Sequence, residues 1–196
     1  MEFYTIPEIN KVLIEYCAPV LLRRKPAALF TLPSKQYLSL LKQTIKNALN
    51  IKVLRIYQKG ILVMIYDYIL LESLLLKNES IHDALLLFGY SSYTDIDDYL
   101  CHLKNKFQNG SIFPHEIGLF LGYPPEDVFA FIHNKGQAYK YCGIWKVYSD
   151  EEYSRKCFEE YKYCAECLRK HLSNGGRIEN FKTIYGIQKT GGSIYE

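Results

Sequence analysis

The stretch IKVLRIYQKGILVMIYDY, residues 51–68, decides the fold class. Its two runs, 51–57 and 61–68, are rich in β-branched and aromatic side chains and flank Gln58, Lys59 and Gly60, a pattern that reads as a β-hairpin. Gly60 is expected to take the positive φ that a tight hairpin turn demands. A shorter apolar run, AALFTL at 27–32, lies between Pro26 and Pro33 and reads as a strand.

Outward from the hairpin the period changes to that of helices. Ser34 offers an N-cap to a helix whose apolar stripe is Leu38, Leu41, Ile45 and Leu49. Upstream, Ile9, Val12, Leu13 and Tyr16 mark a helix over 7–17, which Pro19 is expected to kink or end before any resumption to 23. Downstream, helices are expected over 69–76, 80–88 and 94–107, with Gly89 and Asn109-Gly110 as stops. CGIWKVYS at 142–149 reads as a short strand or extended connector. Ser149 with Glu152 carries a capping-box signature for a helix running to about 172. RIENFKTIYGI after Gly176 reads as an edge strand or irregular close, followed by a tail, 188–196, expected to be mobile. The sum is an α+β fold: a mainly helical single domain over 1–196, with its core at about 7–187 and a small, largely antiparallel sheet built on the 51–68 hairpin.

With 24 basic against 21 acidic residues, the charge is too balanced for a strong electrostatic pull on nucleic acid. No apolar run reaches the length of a membrane span, because Asp67 breaks the longest, so a cytoplasmic, non-membrane protein is expected. The six cysteines read as reduced thiols in a chain with core enough to need no staples.

FPHEIGLFLGYPPEDV, residues 113–128, concentrates the polar candidates. Pro114 suits a first helical turn, which places His115 and Glu116 near free amide groups that favour a carboxylate and a neutral imidazole, a usable acid–base pair. A zinc-protease reading fails at Leu119, where a second His is required. Gly118 allows a close helix crossing, Gly122 suits a left-handed helix end, and Pro125 opens the next helix. A DNA-reading helix-turn-helix is disfavoured, since Glu126-Asp127 at the start of the second helix repels phosphate.

Three site constellations follow. The leading one is a ligand-binding or accessory module, taking a small anionic ligand or a protein partner, built from Lys25, Tyr123, Lys140, Trp145 and Lys146 around Cys17, His115 and Glu116. The second is a thiol-dependent enzyme with Cys17 as nucleophile, His115 as base and Glu116 or an Asn as its orienter. The third is a metal or redox site at Cys164 and Cys167 with His171 one turn on. Against it, Cys157, Tyr161, Cys164 and Leu168 also follow a buried stripe, and one straight helix cannot wrap four ligands about an ion. No cofactor is specified.

The stretches LIEYCAPVLLRRKPAALFTL, FPHEIGLFLGYPPEDVFAFIHNKG and YKYCGIWKVYSDEE together resemble the bacterial family catalogued as domain of unknown function 3793. The likeness spans most of the chain from Cys17 to the long C-terminal helix. Two positions depart from the family pattern: Ala130 stands where a Gly is usual and Ile144 where an aromatic is usual, changes that bear on packing. The resemblance implies an intracellular single-domain protein in a redox or iron-associated accessory role, and it lends no catalytic residue.

Overall fold

In the computed structural model, which describes residues 6–185, the decisive hairpin supplies the two longer strands of a three-stranded antiparallel sheet. β1 (Ala27–Leu32), β2 (Asn50–Tyr57) and β3 (Gly60–Tyr66) are ordered β1-β3-β2, with Phe30 opposite Val63 and Val53 opposite Val63 on the other side. Every residue of β3 is buried, which explains its unbroken apolar run: both faces of a central strand are covered. Leu62, Met64 and Tyr66 enter one core; Ile61, Val63 and Ile65 enter another on the opposite face, following the two-residue period of a strand.

Helices lie on both faces. The first core is closed by α4 (Tyr68–Lys77), α5 (Glu79–Leu87), α6 (Ile96–Asn109), α7 (Ile117–Phe120) and α8 (Pro125–His133). The second is closed by α1 (Ile6–Val12), α2 (Ala18–Leu21), α3 (Lys35–Ile45), α9 (Glu151–Ser173) and α10 (Ile178–Tyr185). A two-stranded ribbon, β4 (Tyr141–Cys142) with β5 (Lys146–Val147), carries Trp145 and Val147 into a third, smaller cluster against Cys157 and Tyr161 of α9. Among the described residues, no helix is long and apolar enough to cross a membrane.

Several expectations need correction. Gly60 is not among the positive-φ residues; a Cβ there would meet Thr31 Cγ2 at 2.5 Å and the Leu32 carbonyl oxygen at 2.9 Å, so the glycine serves close approach to β1. The hairpin's twist is adjusted within β2, where a bulge between Val53 and Arg55 turns Leu54 into the first core. Pro19 does not break the first helix. Leu13–Cys17 widens into one π-helical segment, and the chain continues into α2 with Pro19 in its first turn, where a missing N–H does least harm. Asp150, not Ser149, caps α9 by accepting from the Tyr153 N–H, while Glu152 pairs with Lys156. The segment expected to close the chain as an edge strand is the helix α10, docked through Ile178 and Phe181. The tail 188–196 lies outside the described residues.

Candidate functional site

Gly122 (φ 77°) ends α7 in the left-handed conformation, and the Tyr123 N–H returns to the Gly118 carbonyl at 2.9 Å. Gly118 permits the tight crossing with α8, because a Cβ there would lie 2.8 Å from Val128 Cγ2. This corner turns the half-buried Tyr123 toward the ribbon and starts α8 at Pro125, with Asp127 turned inward and 2% exposed. Asp127 is the hub of the region. One of its oxygens accepts from Trp145 Nε1 at 2.7 Å and the other from the Tyr148 and Ser149 N–H groups at 2.8 and 2.7 Å. Three donors on one buried carboxylate pin the ribbon to the start of α8. In the sequence Asp127 stands only as half of an acidic pair that repels phosphate; the capacity of Trp145 and a following extended segment to donate to it is the available signal.

The pinned ribbon makes two adjoining cavities. The first, about 350 Å³, is lined by His115, Tyr123, Phe131, Ile144, Trp145 and Lys146 among others, and its walls are mostly apolar. Trp145 stacks on Tyr123 (centroids 4.8 Å apart) and meets Phe158 edge-on at 4.4 Å. His115 lies between the rings of Phe113 and Phe131, 5.2 and 5.0 Å away. Lys146 Nζ donates to the Gly136 carbonyl at 2.6 Å and lies 4.8 Å from the Tyr139 ring; it has no carboxylate partner among the described residues.

The second cavity, about 560 Å³, shares Leu121, Tyr123, Gly143 and Ile144 with the first and continues to Lys25, Tyr161 and Phe158. Lys25 arrives there because Arg23, in a left-handed conformation (φ 57°) and bound through Nε to Asp67 at 2.9 Å, turns the chain back after α2. Lys25 is 7% exposed, and Nζ sits 5.2 and 5.8 Å from the rings of Tyr123 and Tyr161. Burial lowers its pKa to about 8, opposed by the neighbouring Cys17 sulfur.

Four of the sequence candidates thus share a cavity, and Lys25 faces the adjoining one. The others go elsewhere. Lys140 is exposed and donates to the Ser149 carbonyl at 2.7 Å. Glu116 is 4% exposed and turns away from His115 to an ion pair with Lys106, which also donates to the Phe88 carbonyl. The expected His115–Glu116 pair is therefore split: the imidazole faces a cavity and the carboxylate ties α7 to α6.

Cys17 is fully buried in the second core, where loss of hydration raises its thiol to about 12 against a smaller lowering by Lys25. Burial of this kind opposes the thiolate that a nucleophile needs. Cys164 and Cys167 lie in that same core, burial lifting Cys164 to about 12, and His171 is engaged with the Arg177 carbonyl at 2.9 Å. Among the described residues no group of three or more His, Cys, Asp or Glu is placed to hold a metal ion.

A family model described as "Protein of unknown function (DUF3793)" matches residues 13–182. No curated protein and no solved structure matches the chain.

Proposed function

We propose that this chain, which belongs to the DUF3793 family of proteins of unknown function, is a binding module for a flat, mainly apolar organic anion. The observation that carries the reading is the convergence of His115, Tyr123, Trp145 and Lys146, from α7's approach, the corner and the ribbon, on one apolar cavity. Aromatic walls with a few placed polar groups are the usual composition of a small-molecule site. Lys146 supports the anionic class. Its ammonium has spent one donor on Gly136, and the negative charge of Asp127 is already met by three donors.

Trp145 is the single tryptophan and reports on the cavity directly. The test titrates its fluorescence with 1-anilinonaphthalene-8-sulfonate and with N-phenyl-1-naphthylamine, the same rings without the sulfonate. The expected outcome is saturable quenching by both, tighter for the sulfonate, with Lys146→Gln weakening only the sulfonate by about tenfold, the worth of one charge-assisted hydrogen bond. Absence of quenching sinks the binding reading. Equal weakening of both probes sinks the role given to Lys146.

A further inference from the structure

Lys25 lines the second cavity and takes no part in the first. The residue is 7% exposed, its ammonium has no hydrogen bond or ion pair among the described residues, and it lines the 560 Å³ cavity. A buried charge normally carries a partner, so a lysine kept in this state without one calls for a chemical reason. The two tyrosine rings near Nζ steady a cation without binding its proton as a carboxylate would.

We propose that Lys25 is an imine-forming amine that captures an aromatic aldehyde in the cavity walled by Tyr123, Tyr141, Phe158 and Tyr161. The neutral nitrogen adds to the carbonyl carbon, forming a C–N bond while the carbonyl oxygen takes a proton. The resulting carbinolamine then loses its hydroxyl and the nitrogen's remaining proton as one water, leaving C=N. The step consumes one aldehyde and releases one water, with no oxidant or reductant. Glu15 lines the same cavity from the exposed side of the first helix, a carboxylate placed to pass protons during the loss of water. The lowered pKa agrees with this role, since near neutral pH it leaves far more free amine than an ordinary lysine has.

The inference rests on the binding reading only in that both cavities must admit small molecules; its readout is separate. The intact protein is treated with benzaldehyde and cyanoborohydride, which reduces any imine to a stable benzyl adduct, and the adducts are located by peptide mass mapping over time. Lys25 is expected to be benzylated about tenfold faster than the exposed Lys42 and Lys59, the gain in free amine being partly offset by weaker nucleophilicity. Its rate should level off above about pH 8 while theirs keep rising.

Lys25→Met should remove only that adduct, and Tyr123→Leu, which keeps the amine, should slow its formation. Labelling of Lys25 at the rate of Lys59 overturns the proposal even if Trp145 still reports ligand in the first cavity. So does the absence of any adduct on Lys25 while the exposed lysines are labelled. Fast labelling of Lys25 with no Trp145 response would overturn the first-cavity reading alone.

Discussion

Lys25 sets a stability cost as well as a reactive position. Its pKa falls from 10.5 in the unfolded chain to about 8 in the folded one, so the folded state holds its proton less well. Below pH 8 the full penalty for a buried charge applies, and between pH 8 and 10.5 the unfolded chain binds more protons, so stability rises with pH. Cys17 acts in the opposite sense. Its thiol is raised from 9 to about 12, as is that of Cys164, so above pH 9 the unfolded thiols ionise while the folded ones do not, and stability is lost. Urea unfolding should therefore show a maximum near pH 9. Lys25→Met, which keeps the volume and removes the charge, should stabilise the protein by about 2 kcal/mol at pH 7 and abolish the rise between pH 8 and 9. A variant no more stable than the parent at pH 7 would show that the ammonium has a counter-charge. None of this was legible in the sequence. Lys25 stands there as a binding candidate in LLRRKP, but its burial depends on the left-handed turn at Arg23 and on Asp67, 44 residues away.

At the scale of elements, the four-residue strand pair β4–β5 is too short to hold itself together and depends on its attachments. Asp127 supplies the hydrogen-bonded one and Phe158 the apolar one: a Cβ at Gly143 would collide with the Phe158 ring, so the ribbon lies directly on α9. Asp127→Ala leaves the Trp145 indole and two backbone N–H groups without their acceptor, and should cost about 3 kcal/mol in urea unfolding. Its Trp145 emission should shift to longer wavelength as water reaches the indole; an unshifted spectrum would mean that the ribbon is held by its aromatic contacts alone. The corner at 113–128 was legible because Gly118, Gly122 and Pro125 each answer a local steric demand. The partner of Asp127 was not, because Trp145 lies 18 residues on and joins it only in three dimensions. The split of His115 from Glu116 escaped for a related reason: neighbours in a turn diverge, and which of them meets Lys106 is set by the packing of α6.

Over the whole molecule, the sheet with helices on both faces makes β3 the most protected segment. Hydrogen exchange should find the β3 amides, from Ile61 to Ile65, among the slowest, opening only with global unfolding, while the β4–β5 ribbon exchanges through smaller openings. Exchange of β3 as fast as that of the ribbon would contradict the two-core description. The site sits away from this strand, where the third cluster meets the first core, and Tyr123 belongs to that core's edge and to the ribbon cluster at once. By itself the sequence determined the α+β class, the hairpin, the helix-rich remainder and most helix ends, because periodicity, caps, glycines and prolines act over a few residues. It also marked Lys25, His115, Tyr123, Trp145 and Lys146. Only the tertiary structure decided which of them face a cavity, why Cys17 is sealed in the core, and that a carboxylate at the start of α8 holds the ribbon. Burial and long-range hydrogen bonds depend on which surfaces meet when distant segments pack, and no local pattern encodes that meeting.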